Sequence, residues 1–107
     1  VPTPDFSVLP DRDGDTYTLA ASGELDAATS AQLEAEITVA LSDASVDTLR
    51  IDLSGIGFLD SSGLSVIISA HHRMRERGGQ LVLRNPSEIV QRLFEITQLT
   101  GELKIEA

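Results

Sequence analysis

Residues 49 to 64 read Leu49-Arg50-Ile51-Asp52-Leu53-Ser54-Gly55-Ile56-Gly57-Phe58-Leu59-Asp60-Ser61-Ser62-Gly63-Leu64. The first five alternate apolar and charged side chains, the period-two pattern of a strand with one buried face. From Leu64 onward the period changes: Leu64, Ile67, Ile68, His71 and Met74 share one face of a helix that Gly78-Gly79 ends. The tetrad Asp60-Ser61-Ser62-Gly63 therefore marks a strand-to-helix junction. At such a helix start, unpaired backbone N–H groups and the positive end of the dipole favour an anion. A serine there is either a structural cap, its usual role, or a place to carry a phosphate. Two serines in a row let one hydroxyl cap while the other reacts. Gly63 keeps bulk out of the first turn at a cost of about 1 kcal/mol in helix propensity, which implies close approach by another group.

Working outward, Phe6 and Val8 alternate with polar residues, and Asp13-Gly14 is a turn signal before the period-two run Thr16 to Ala21. The chain thus opens with a hairpin. Thr29 and Gln32 have capping-box spacing ahead of Leu33, Ile37 and Leu41, which predicts a first helix of about three turns. Downstream of the tetrad's helix, Leu81-Val82-Leu83 is a short buried strand. Asn85-Pro86-Ser87-Glu88 supplies a capping residue, a proline at the first helical position and an acid, with Ile89, Val90, Leu93 and Phe94 as the buried face. Gly101 breaks that helix, and Leu103 and Ile105 suggest a final short strand. Strand-helix-strand order implies right-handed crossovers, so the reading is one α/β domain over residues 1–107.

The composition narrows the function classes. At 107 residues with 41% hydrophobic content the chain suits one folded domain, and no apolar run reaches the roughly 18 residues of a membrane span. The expectation is a soluble protein with no secretory leader at Val1, and the absence of cysteine fits the cytoplasm. A net charge of −9 argues against nucleic acid, which requires a basic patch. The charge is unevenly spread: residues 1–60 carry twelve acids against Arg12 and Arg50, whereas residues 61–107 carry five acids and six bases. Two differently decorated solvated faces explain that, or the acidic half addresses a basic partner surface.

Other motifs yield no chemistry. Adjacent residues on a helix point about 100° apart, so His71 and His72 cannot chelate one ion, and His71 reads as a core residue. Asp11-Arg12-Asp13-Gly14-Asp15 resembles a calcium loop, but its glycine and the twelfth position, Ser22, are wrong for an EF-hand, leaving a hairpin turn. Gly55-Ile56-Gly57 lacks the third glycine of a dinucleotide loop, and Lys104, the only lysine, is in no phosphate loop. Neither a metal nor a cofactor is expected.

Taken together, Ile51 to Leu64 resembles the core signature of STAS domains of the bacterial anti-sigma factor antagonist family. Gly23-Glu24-Leu25-Asp26 resembles that family's upstream element. Gly78 to Leu83, and Pro86 through Arg92-Leu93-Phe94 to Gly101, match in kind and order, so the likeness covers about residues 16 to 105. The resemblance implies a small mixed sheet of four to five strands with helices packed mainly on one face. It implies a regulatory binding protein, not an enzyme. An anti-sigma factor that is also a serine kinase would phosphorylate Ser61; the unmodified chain would bind that partner and free a sigma factor, and a serine phosphatase would reverse the mark. Asp26 and Asp60 would lie near the hydroxyl, with Ser62 and Gly63 as its structural neighbours in the contact surface. Departures from the family pattern are Ser65 and Ser69 at small positions, and His71 where a longer side chain is frequent. Val66 points away from the Leu64-Ile67-Ile68 stripe and is an expected exposed apolar anchor for the partner.

A phosphate on Ser61 adds about −1.5 to −2 charges. The helix N-terminus with its free N–H groups should offset part of the cost by about 0.3–2 kcal/mol, so the effect should fall on binding and not on folding. Two rivals stand beside this reading. A STAS scaffold or transporter accessory would use the serines only as caps. A serine hydrolase would need a base, but Gly-x-Ser-x-Gly is absent and both histidines lie roughly 15 Å along the helix from Ser61.

Overall fold

The computed structural model describes residues 6–96 and 103–106. The elements are β1 (Phe6–Asp13), β2 (Thr16–Leu25), α1 (Ser30–Leu41), β3 (Thr48–Leu59), α2 (Ser61–Glu76), β4 (Gln80–Arg84), α3 (Glu88–Ile96) and β5 (Lys104–Glu106). They form one five-stranded sheet in the order β1-β2-β3-β4-β5, with β1 antiparallel to β2 and every other neighbour parallel. The opening hairpin turns through Gly14 at φ 64°, the left-handed first position of a two-residue loop that glycine fills without strain. Gly101, expected to break the third helix, lies outside the described residues.

Leu19, Ala21, Leu49, Ile51, Leu53, Leu81 and Leu83 point from the sheet into a single core. They meet Leu33, Ile37 and Leu41 of α1, Val66, Ile67, Ala70 and Met74 of α2, and Val90 and Phe94 of α3. On the other face Arg50 and Arg84 reach the carboxylate of Glu106 at 3.2 and 4.0 Å. Alternation along β3 is thus a division between apolar packing and a partly solvated charged surface.

β2 and β3 run further than their period-two patterns reach. Between the pairs Ala20↔Asp52 and Ser22↔Gly55, and again between Gly23↔Ile56 and Glu24↔Phe58, β3 spends one residue more than β2. These two bulges stretch the apolar spacing from two to three, so Ile56 and Leu59 return to the core after Leu53. Gly55 is dictated by the first bulge: a Cβ there would sit 2.5 Å from Ser22 Oγ and 2.9 Å from the Ala21 carbonyl oxygen.

Two helix starts differ from the sequence expectation. Thr29 does not form a capping box with Gln32; its hydroxyl donates to the Glu24 carbonyl at 2.7 Å and accepts from the Asp26 amide at 2.9 Å. In α3 the cap is Ser87, whose Oγ accepts from the Val90 amide at 3.3 Å, because Asn85 adopts φ 52° and stays outside the helix. Ile89 consequently leaves the buried face and is 70% exposed. At the other end, α2 stops as predicted: Gly78 at φ 80° donates to the Arg75 carbonyl, and Gly79 donates to that of Met74, the paired bonds of a Schellman motif.

Candidate functional site

β2 and β3 are parallel neighbours that finish together, with Leu25 and Leu59 as register partners. Each strand is followed by an aspartate, so Asp26 and Asp60 emerge side by side at one edge of the domain. The Asp60 amide donates to the Leu25 carbonyl at 3.1 Å, which ties the two strand ends together. Both carboxylates turn onto the amides that follow them. Asp26 Oδ1 accepts from Ala28 and Thr29 at 2.9 and 3.1 Å, and Asp60 Oδ1 accepts from Ser62 and Gly63 at 2.8 and 3.2 Å.

The cap of α2 is therefore Asp60, with an extended backbone at φ −106°, ψ −172°, and neither serine serves as the N-cap. This corrects the expectation that one of the serines caps. An acid suits the position better than a hydroxyl, since it meets both the amides and the positive end of the dipole. Ser61 is the first residue of α2 and is exposed, while Ser62, Asp26 and Asp60 are half-buried. Two N–H groups expected to be free for a phosphate are thus already occupied.

Gly63 is buried, and the close approach it permits comes from inside the fold. A Cβ at Gly63 would lie 2.6 Å from Leu25 Cγ and 2.8 Å from its Cδ2. Val66 requires a correction of the same kind: it is 9% exposed and packs in the core, so it cannot serve as an exposed anchor. The buried stripe of α2 is Gly63, Val66, Ile67, Ala70, His71 and Met74. Glycine and alanine register weakly as apolar, so a stripe fitted to the large side chains is rotated toward Leu64 and Ile68, which are half-buried at its edge.

A second feature adjoins the tetrad. A cavity of about 390 Å³ lies between the end of β3 and α3, lined by Phe58, Leu59, Ile89, Val90 and Leu93 with Glu88 and Arg92. Phe58 is 46% exposed and Ile89 70% exposed. Periodicity could not find them, since the second bulge turns Phe58 outward and the displaced cap turns Ile89 outward.

His71 is buried and His72 exposed on the same unbroken helix that Ser61 begins, ten and eleven residues away. At about 1.5 Å rise per residue neither imidazole reaches the Ser61 hydroxyl, so the arrangement lacks the nucleophile-base contact of a serine hydrolase. Among the described residues no group of three or more His, Asp or Glu side chains is placed to hold a metal ion, and no helix is long and apolar enough to cross a membrane.

A mixed sheet with helices over its core face, whose parallel strand ends present an exposed serine on an acid-capped helix, defines a small α/β regulatory module of the STAS type. The family model for the STAS domain matches residues 8–107. The anti-sigma-B factor antagonist of Listeria monocytogenes is 35% identical over 92% of this chain and 85% of its own length. Among solved structures, the anti-sigma factor antagonist SpoIIAA superposes in its unphosphorylated form with a TM-score of 0.81 at 25% identity, covering 94% of this chain and 88% of that one. The Bacillus SpoIIAA in its phosphorylated form gives 0.76 at 24% identity over 94% of this chain and 91% of that one, a likeness of fold. The chain belongs to the STAS domain family, in its anti-sigma factor antagonist group.

Proposed function

We propose that this chain is switched by phosphorylation of Ser61. The unmodified form binds an anti-sigma factor that is also a serine kinase and so releases a sigma factor in the cytoplasm; phosphorylation by that partner ends the binding, and a serine phosphatase restores it. The observation that carries the reading is the division of labour at the start of α2. Asp60 does the capping, and Ser61 stands exposed one residue further on. A hydroxyl with no duty in the cap can be modified without dismantling the helix. Asp26, Asp60 and Ser62 form the surrounding contact surface, and the added charge meets the two aspartate carboxylates at the interface, where each loss of about 1.4 kcal/mol weakens binding tenfold.

The test is incubation with the anti-sigma factor kinase encoded in the same genome and ATP, followed by intact-mass measurement and peptide mapping. One phosphate on the peptide containing Ser61, absent in Ser61→Ala and retained in Ser62→Ala, is the expected result. Modification only elsewhere, or none, refutes the reading.

A further inference from the structure

We propose that Asp60 is a positioning residue for the switch: its carboxylate withholds the amides of Ser62 and Gly63 from a phosphate on Ser61, which then stands as an unneutralised surface charge. The inference rests on the proposed modification of Ser61. At the start of α2 the Leu64 amide is already bonded to the Asp60 carbonyl at 3.0 Å, and Asp60 Oδ1 holds the next two amides. A phosphate could gain those amides only by evicting the carboxylate. Asp60 is poorly placed to leave: its own amide is held by the Leu25 carbonyl, Leu59 before it is buried, and Gly63 after it is wedged against Leu25.

The charges decide the sign of the effect. The helix end offers the phosphate the equivalent of about +0.5 elementary charge, whereas Asp60 supplies a full negative charge from the adjacent residue. Asp26, which follows Leu25 at the end of β2, adds to it. From α3, beside Leu59, Glu88 and Arg92 pair with each other at 3.7 Å and largely cancel. The second proton of the phosphoserine is therefore harder to lose than in the unfolded chain, whereas a phosphate resting on the amides would lose it more easily.

Phosphoserine introduced at position 61 of the full chain by translation allows a phosphorus-NMR pH titration, folded and unfolded in urea. The expected result is a second phosphate pKa raised on folding by about half a unit or more, the scale of one like charge close by in a solvated setting. In Asp60→Asn, which still caps but carries no charge, the shift should shrink or reverse; Asp60→Ser should behave likewise. A lowered or unshifted value in the parent, or an upward shift indifferent to both substitutions, overturns the proposal. Since no kinase or partner takes part, this outcome is separate from whether Ser61 is the natural target.

Discussion

Replacing Gly63 with alanine tests whether the tetrad's glycine serves the outside of the domain or its inside. Alanine is the better helix former by about 1 kcal/mol in a helix interior, so an outward-facing Gly63 predicts a stabilised protein. The structure predicts the reverse. The new methyl group would lie 2.6 and 2.8 Å from two carbons of Leu25 and 3.1 Å from its carbonyl oxygen. Leu25 is 0% exposed, and its carbonyl accepts from the Asp60 amide, so neither the side chain nor the backbone has room to yield. With neither group able to yield, overpacking falls in the upper part of its usual range, about 2–3 kcal/mol, of which the propensity gain returns about 1 kcal/mol. A net loss of about 1–2 kcal/mol corresponds to roughly 4–16 °C in Tm for a domain of this size. Urea denaturation followed by circular dichroism measures it directly. In a Leu25→Ala background the methyl group has space, and the same substitution should be neutral or stabilising, a coupling that a double-mutant cycle reads out. Unchanged or increased stability of Gly63→Ala in the parent chain would refute the reasoning.

Other expectations follow from single contacts. Asp60→Ala should cost about 0.5–2 kcal/mol by removing the α2 cap, while Ser61→Ala should stay within about 0.5 kcal/mol of the parent; thermal melts of the pair separate them. The Arg77 guanidinium donates to the carbonyls of Leu41, Asp43 and Val46, closing the end of α1 and the loop into β3. Loss of these charge-assisted bonds in Arg77→Ala should cost about 1.5–3 kcal/mol in urea denaturation. Hydrogen bonds from the Arg12 side chain and from Ser45 hold the Asp43 carboxyl well below the usual carboxylate range. Because the folded value is the lower one, the unfolded chain takes up the proton first, so this contribution is present above about pH 4 and is lost as the pH falls further. Asp43→Asn should flatten that part of the acid limb in a stability-versus-pH series.

The order of strands and helices was legible because each element carries its own period. Leu49-Arg50-Ile51-Asp52-Leu53 is a strand by alternation, and the Gly78-Gly79 stop of α2 is a Schellman motif in the structure. What failed depended on partners distant in sequence. The bulges in β3 are fixed by β2, so the outward turn of Phe58 has no local signature. Capping by Asp60 instead of Ser61 depends on a backbone held extended by the Leu25 carbonyl. Val66 escapes a reading by periodicity because two of the six residues in the buried stripe of α2, Gly63 and Ala70, are small. Arg77, like Arg12 on Asp43, joins segments more than thirty residues apart and reads in isolation as an ordinary surface arginine. The place of the strand-to-helix junction is thus written locally, and the capping and packing of its residues are set by tertiary contacts.

The central claim is that charge at Ser61 governs partner binding while the fold stays intact. Calorimetric titration of the cognate anti-sigma factor kinase with the unmodified chain and with the chain carrying phosphoserine at position 61 tests it most directly. Matched melting curves with at least about a tenfold loss of affinity, about 1.4 kcal/mol, in the phosphorylated chain is the predicted result. Equal affinity of the two forms, or a phosphorylated chain that no longer folds, would contradict it.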